Sequence, residues 1–224
     1  MTLLHIDSSI LGTQSTSRPL TAATVKHLTS AASGQAVIYR DLAESPLGDL
    51  SGPEFLAFQG VEPQDDIAKQ KVARNSEILE EFLAARTVVI GAPMYNFSLP
   101  SQLKSWLDRL AVAGKTFQYS SNGVEGLAGG KRVIVVSSRG GIYSEGAPAA
   151  PLDHQETYLR GFFGFIGITD VTFIRAEGLA LGEESRNAAL QAAQAEITKL
   201  VARTRRLPKA VKAASHAVPP FFSS

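Results

Sequence analysis

Three loops of this sequence carry residues that could bind a ligand, and each follows an apolar run typical of a β-strand. The second loop along the chain is the most informative, because Met94, Tyr95 and Phe97 place bulky apolar groups where a plain connection carries polar ones. Asn96 among them supplies a hydrogen-bond donor and an acceptor for the edge of a heteroaromatic ring. This loop therefore predicts a flat aromatic ligand with polar edges.

The first loop is rich in hydroxyl groups and runs into a helical pattern. It contains Ser9 and the run Ser15-Thr16-Ser17, and Pro19 can open the helix with Ser17 as its cap. Free backbone N–H groups at a helix start, next to hydroxyls, bind phosphate monoesters. An ordinary capping loop is the alternative interpretation. No Gly-Lys-Ser/Thr follows, so the loop does not predict a nucleoside triphosphatase.

The third loop, Ser137-Ser138-Arg139-Gly140-Gly141, follows the apolar run Arg132–Val136. Paired glycines let the backbone approach a ligand closely, and their N–H groups can point at it. A plain turn is the alternative, and Arg139 could contact a cofactor or bridge to an acid. A ligand-binding role is favoured because this is the third such loop that follows a predicted strand.

Together the three loops predict a ligand with a phosphate at one end and a polar aromatic ring at the other. Flavin mononucleotide (FMN) fits this description, with its phosphate at the first loop and its isoalloxazine between the second and third. Open α/β sheets bind ligands outside the carboxyl ends of their strands, which is where all three loops are expected.

The elements that must position these loops alternate between strands and helices along the chain. Predicted strands are Leu3–Ile6, Ala36–Tyr39, Thr87–Ile90, Arg132–Val136 and Val171–Ile174; predicted helices are Pro19–Ala31, Pro63–Ala85, Pro100–Ala113, Leu152–Phe165 and Glu183–Arg203. This alternation predicts an α/β fold with a parallel sheet and helices on both faces. Five strands favour a doubly wound, flavodoxin-like order over a six-stranded dinucleotide-binding fold.

Three segments lie outside that minimal fold. Leu47–Glu62 is rich in Gly, Pro and Phe and is interpreted as a surface excursion. Thr116–Gly130 predicts a hairpin, because the pair Asn122-Gly123 is flanked by aromatic residues. We expect one domain over residues 1–204 and a basic tail over residues 205–224, extended or docked on a partner subunit.

Composition excludes several classes of function. Lysines and arginines (22) nearly balance acids (21), and a net charge of +1 gives no general attraction for nucleic acid or an anionic membrane. The absence of cysteine excludes thiolate nucleophiles, disulfides and Cys-ligated metals. The four histidines lack metal-ligand spacing, so no metal site is predicted. No signal peptide or membrane span is visible, and a cytoplasmic protein is expected.

The chain resembles the FMN-dependent NADH-azoreductases, which are flavodoxin-like quinone and azo-compound reductases. The shared motifs are the Ser-Ser-Ile-Leu opening, Ala-Pro-Met-Tyr-Asn-Phe followed by Gln-Leu-Lys, Ser-Ser-Arg-Gly-Gly-Ile, and Phe-Gly-Phe-Ile-Gly-Ile-Thr-Asp-Val. They extend from Leu3 to about Leu200. Two departures from the family pattern are a longer segment at Gly146–Gln155 and an extension beyond Arg203.

The resemblance implies a role for each loop and a subunit arrangement. The residues implied to hold the FMN phosphate and ribityl chain are Ser9, Ser15, Thr16 and Ser17, and those implied to line the isoalloxazine are Met94, Tyr95, Asn96, Phe97, Ser138, Arg139, Gly140 and Gly141. A homodimer with its active site at the interface is implied. Tyr119, Phe162 and Phe97 are then candidates for the substrate face, the first two acting across subunits.

The same resemblance implies the reaction. NADH or NADPH delivers two electrons as hydride, and a quinone or azo acceptor then uses the same face of the cofactor, which gives ping-pong kinetics. The hard chemistry belongs to the flavin, and no catalytic side chain is predicted. The alternative is an FMN-binding electron carrier of the flavodoxin type without turnover of its own, although such carriers usually have a strongly acidic surface.

Overall fold

The main sheet has five strands in the order Ala36–Asp41, Thr2–Asp7, Ala85–Pro93, Arg132–Ser138 and Asp170–Ala176, and every pairing in it is parallel. The computed structural model describes residues 2–30 and 34–200. In chain order its elements are β1 (Thr2–Asp7), α1 (Ser17–Ser30), β2 (Ala36–Asp41), α2 (Gly52–Phe58), α3 (Asp66–Ala84), β3 (Ala85–Pro93), α4 (Ser101–Asp108), β4 (Phe117–Ser120), β5 (Gly123–Gly126), β6 (Arg132–Ser138), α5 (His154–Phe165), β7 (Asp170–Ala176) and α6 (Glu183–Lys199). The predicted doubly wound, flavodoxin-like fold is confirmed. The predicted tail over residues 205–224 lies outside the described residues.

Helices cover both faces of this sheet, so its strands bury apolar side chains on both sides. On one face, Val88 and Ile90 of β3 pack with Phe82 and Trp106, whose rings meet edge to face at 5.9 Å. Val89 points to the opposite face, which α1 and α6 cover. Because successive strand residues alternate between two buried faces, the strand shows an unbroken apolar run in the sequence.

The predicted hairpin is present as β4 and β5, which pair antiparallel. Its base lies against the loop between α5 and β7: a Cβ added at Gly126 would lie 2.1 Å from the backbone nitrogen of Gly167. Ala128 N–H donates to the Ile166 carbonyl at 2.9 Å. The hairpin is thereby fixed to the sheet, and Tyr119 on it is 72% exposed.

Several helix boundaries differ from the prediction, and two of them are instructive. Helix α1 begins at Ser17 instead of Pro19, and Ser15 Oγ, not Ser17, accepts a hydrogen bond from Arg18 N–H at 3.2 Å. Proline is tolerated there because first-turn N–H groups have no intrahelical acceptor. Helix α4 ends at Asp108 instead of Ala113, and the Arg109 that follows is buried.

The excursion Leu47–Glu62 contains α2 and is anchored by a buried ion pair. Glu54 Oε1 accepts hydrogen bonds from Arg109 Nη2 at 2.8 Å and from Asn75 Nδ2 at 3.0 Å. Burial alone would raise the pKa of Glu54, but hydrogen bonds from Ser51 and Asn75 and the charge of Arg109 lower it to about 2. The carboxylate therefore stays ionised inside the protein.

We expect Glu54→Gln to lower the free energy of unfolding by about 3 kcal/mol at neutral pH, because it leaves the Arg109 charge buried without a carboxylate. Since the folded pKa of Glu54 lies below its ordinary value of 4.5, its contribution is complete above about pH 5 and is lost as pH falls toward 2. Urea unfolding at several pH values measures this, with the largely exposed Glu77→Gln as control. A difference that persists unchanged at low pH would contradict the assignment.

Candidate functional site

The three predicted loops meet at the carboxyl edge of the sheet, after β1, β3 and β6. Met94 N–H donates to the Ser138 carbonyl at 2.9 Å, which joins the second loop to the third. The Tyr95 hydroxyl lies 3.4 Å from Ser9 Oγ and accepts from Ile10 N–H at 3.3 Å, which joins the second loop to the first. The second loop is thus the centre of one continuous site.

The second loop folds into a tight turn with an unusual backbone. Tyr95 and Ser98 exchange two backbone hydrogen bonds at 3.0 and 3.1 Å, and the two residues between them, Asn96 and Phe97, have φ values of 48° and 70°. Positive φ at both central positions is typical of a type I′ turn. This backbone conformation costs a phenylalanine about 1 kcal/mol of free energy. Both side chains remain exposed at the edge of the sheet, and such strain is commonest at functional sites.

An aromatic contact holds this turn against the third loop. The Phe97 ring meets the Tyr143 ring nearly edge-on, with centroids 6.2 Å apart, and the Phe97 carbonyl accepts from His154 N–H at 3.1 Å. Sequence reasoning did not include Tyr143 in the site. The feature of the sequence that could have identified Tyr143 is its position, as an aromatic residue two places after the paired glycines.

The backbone of the third loop presents a row of free donors. The carbonyls of Arg139, Gly140 and Gly141 accept hydrogen bonds from backbone N–H groups of residues 178–180 at 2.9 to 3.1 Å. The N–H and C=O of a trans peptide point in opposite directions. The N–H groups of Gly140, Gly141 and Ile142 are therefore directed away from residues 178–180 and toward an incoming acceptor.

The side chain of Arg139, a predicted cofactor contact, is instead fully buried behind the third loop. Its guanidinium donates at 2.7 to 3.4 Å to Ser137, Asp153, Gln155, Glu156 and Glu177. A guanidinium has five N–H donors, and these five contacts use them. Its backbone N–H and carbonyl are also paired. The Arg139 side chain therefore bridges to acids, which is one of the two roles expected for it, and its contact with a cofactor stays a prediction.

The hydrogen bonds around Arg139 support both the second and the third loop. Gln155 Nε2 donates to the carbonyls of Ala92 and Pro93, at the end of β3, at 3.1 Å each. Glu177 Oε1 accepts from Tyr143 N–H at 2.8 Å. One buried cation thus connects the residues that precede the second loop with those that follow the paired glycines.

The first loop brings two of the predicted phosphate-binding hydroxyls, those of Ser15 and Ser17, together. Ser9, Ser15 and Ser17 are buried, and Ser15 Oγ lies 3.2 Å from Ser17 Oγ. Helix α1 begins here with no acidic residue in its first turn. The positive end of its dipole suits an anion, although Arg18 N–H is already bound by Ser15 Oγ and Pro19 has no N–H. The side chains and the helix end therefore favour the same ligand group.

The flank of the first loop toward β2 holds an open pocket of about 810 Å³, which is lined by both polar and apolar residues. Its arginine, Arg18, forms an ion pair with Asp41 and donates to the Ser9 carbonyl at 2.9 Å. Burial, together with the charges of Asp7 and Asp41, raises the pKa of Tyr39 to about 12. Tyr39 therefore stays protonated and donates to Asp7 Oδ2 at 3.2 Å. Arg18 is therefore already paired, and the carboxylates on this flank outnumber it.

Two predicted substrate-face residues do not join the loops within one chain. The Phe162 ring is half-buried and contacts the rings of Tyr158 and Phe163 at 6.2 and 5.6 Å. Tyr119 contacts the ring of Phe117 at 5.5 Å. In the described part of the chain, neither ring meets an aromatic ring of the second or third loop. Their action across a subunit interface stays a prediction.

Two other kinds of feature are absent from residues 2–30 and 34–200. Within those ranges no group of three or more histidine and carboxylate side chains is arranged to hold a metal ion. Over the same ranges no helix is both long and apolar enough to cross a bilayer. The convergence of the three loops is thus the feature from which a function can be argued.

Comparison with known proteins agrees with this geometry. A family described as having a flavodoxin-like fold matches residues 1–201. Proteins named FMN-dependent NADH:quinone oxidoreductase are 55% identical over 203 residues in Methylocella silvestris (90% of this chain, 100% of that protein) and 56% identical over 202 residues in Sinorhizobium medicae (89% and 96%). A crystal structure of an FMN-dependent NADH-azoreductase from Bacillus anthracis in complex with FMN superimposes with a TM-score of 0.80 at 27% identity, covering 91% of this chain and 100% of that one.

Proposed function

The chain belongs to the flavodoxin-like family that contains the FMN-dependent NADH:quinone oxidoreductases, and from this premise we propose that it binds FMN and uses NADH to reduce quinones and azo compounds. The observation that carries the proposal is the convergence of the three loops. Buried hydroxyls and a helix start lie at one end of the site. An aromatic turn and a row of backbone N–H donors lie at the other.

The donor set fits FMN at both ends. Ser9, Ser15, Thr16 and Ser17 with the start of α1 form a cradle for a phosphate monoester. At the ring end, a Cβ added at Gly140 would meet nothing closer than Ala180 Cβ at 3.5 Å, an ordinary contact. The fold itself therefore does not demand glycine at this position. A ligand that lies against the backbone at Gly140 would require a residue without a side chain there.

When bound, FMN supplies the hydride chemistry between NADH and the acceptor. The chain's own residues would bind FMN and orient its ring. The N–H groups of Gly140 and Gly141 are placed to stabilise negative charge at the edge of the ring by preorganised hydrogen bonding. Asn96 fixes the orientation of the ring through its amide, and Phe97 with Tyr143 forms an apolar wall beside it. No side chain is assigned as a general acid.

We further propose a homodimer whose active site lies at the subunit interface, with Tyr119 and Phe162 facing the substrate from across it. The exposure of Tyr119 on a hairpin that is fixed to the sheet supports this arrangement. Sedimentation equilibrium tests the dimer. A monomer at micromolar concentration with full turnover would contradict it.

The flavodoxin-type electron carrier is not favoured. The relatives that match nearly the whole chain are named as oxidoreductases of small substrates. The net charge of +1 also differs from the acidic surface that such carriers use for docking. Turnover of a quinone without a protein partner separates the two functions directly.

The test of the proposed function is the visible spectrum of the purified protein, followed by anaerobic titration with NADH. Flavin absorbance that bleaches with NADH and returns with a quinone is expected. Steady-state double-reciprocal plots should be parallel, because both substrates use one face in turn. A protein that fails to bind added FMN, or that is not reduced by NADH, would refute the proposal.

Asn96 allows a matched pair of substitutions. Asn96→Gly removes the amide and suits the positive φ of the turn, whereas Asn96→Ala removes the amide and strains the turn. We expect both variants to bind FMN about tenfold more weakly, because each loses the hydrogen bonds to the ring, and only the alanine variant to lose stability. Fluorescence titration with FMN and urea unfolding measure the two effects. Native affinity in the glycine variant would show that the amide does not orient the ring.

A further inference from the structure

Arg186, on the first turn and a half of α6, reaches across to the first loop. Its Nη2 donates to Thr16 Oγ1 at 3.2 Å, although the two residues are 170 positions apart. Thr16 lies directly before α1, among the hydroxyls assigned to the phosphate. This contact places a guanidinium at the edge of the phosphate cradle.

The packing of α6 fixes this placement. Ser185 Oγ donates to the Gly178 carbonyl at 2.8 Å, and Gly178 N–H donates to the Gly141 carbonyl at 2.9 Å. The start of α6 is therefore tied to the third loop. Helices α1 and α6 also share one core cluster on the same face of the sheet. The distance between the Arg186 backbone and the first loop is thus set by the fold.

The first loop needs a cation that it does not contain. Residues 8–17 include no lysine or arginine. Arg18 follows at once, but its charge is matched by Asp41 and its two Nη groups also donate to the Ser9 carbonyl and Tyr39, which leaves its buried Nε as the donor without a partner. Asp7 lies at the end of β1 and adds a buried negative charge. A phosphate monoester with a charge of about −1.5 to −2 would be poorly compensated by these groups alone.

Arg186 is suited to supply that charge. Within residues 2–30 and 34–200, Arg186 forms no ion pair, and Thr16 is the one side chain to which its guanidinium donates a hydrogen bond. It is exposed, so its head group can turn without a packing penalty. Because the guanidinium of Arg186 donates only to a neutral hydroxyl, its other N–H groups can bind an anion.

We propose that Arg186 is a phosphate-binding residue, which pairs with the phosphate of FMN and makes the site select FMN over riboflavin. This rests on the proposed function. The guanidinium donates to phosphate oxygens in a charge-assisted pair, and Thr16, no longer needed as its acceptor, turns its hydroxyl to the same group. The contact concerns the phosphate alone, so the ring end of the site is unaffected.

The test compares the binding of FMN and riboflavin to the flavin-free protein by fluorescence titration. Arg186→Ala should weaken FMN binding about tenfold, as expected for loss of a hydrogen bond to a charged group, and leave riboflavin binding unchanged. Arg186→Lys should recover part of the affinity for FMN. Added salt should weaken FMN binding more in the natural protein than in the alanine variant.

Lys199→Ala is the matched control, because it removes one positive charge from the other end of the same helix, where Lys199 pairs with Glu196. It should leave both affinities unchanged. Unaltered FMN affinity in Arg186→Ala, or equal losses for FMN and riboflavin, would overturn the assignment of Arg186 and leave the proposed reductase intact. Failure of the natural protein to bind FMN would instead refute the proposed function.

Discussion

Replacing Gly140 by valine should weaken FMN binding at least about a hundredfold, a loss of about 2.7 kcal/mol, while the protein remains folded. The described fold gives a side chain at this position only an ordinary contact, 3.5 Å from Ala180 Cβ. In the complex, the same side chain would occupy the space where the ring lies against the backbone N–H groups. The effect should therefore fall on the ligand and not on the fold.

Two measurements separate these effects. Urea unfolding of the flavin-free variant should match the natural protein to within about 1 kcal/mol, and fluorescence titration should show the loss of FMN affinity. Gly164→Val is a suitable control, because a Cβ there meets no atom within 4 Å and Gly164 lies outside the three loops. A Gly140→Val protein with full flavin occupancy would show that the ring does not approach this backbone.

The residues with recognisable chemistry could be predicted from the sequence because their signals are local. A strand followed by Met94-Tyr95-Asn96-Phe97 or by Gly140-Gly141 shows both the position at the sheet edge and the kind of ligand. The hydroxyl run before α1 could be identified for the same reason. Parallel strands bring such loops to one edge, so the fold class already implied that they meet.

The rest of the site depends on contacts between distant segments. The sequence shows Arg139 as a basic residue in a ligand-type loop, and nothing near it reveals that acids at positions 153, 156 and 177 surround it. The same is true of Arg186 and Thr16. The type I′ turn at Asn96 and Phe97 was also hidden, because phenylalanine rarely adopts positive φ and the backbone hydrogen bonds to Ser98 impose it.

The second large effect is expected at Arg139. Arg139→Met keeps an unbranched apolar chain of similar length but removes the cation from Asp153, Glu156 and Glu177. Three carboxylates are then left close together in a buried setting, relieved at Glu156 by Arg175, which donates to it at 2.5 and 2.7 Å. Breaking a buried ion pair from one side costs about 3–5 kcal/mol, and we expect a value near the upper end.

Arg139→Met should also loosen both ring-facing loops, because Gln155 and Glu177 lose the partner that holds them against β3 and Tyr143. In the fraction that folds, the affinities for FMN and for riboflavin should fall by the same factor. This result would distinguish a positioning defect at the ring end from the phosphate-specific loss expected at Arg186. Arg160→Met is the control, since Arg160 is 53% exposed and contacts the same Glu156 at 3.5 Å. It should change the free energy of unfolding by less than about 1 kcal/mol. If Arg139→Met were equally mild, the loops would be held by backbone bonds such as that from Met94 to Ser138, and the buried network would be incidental to the site.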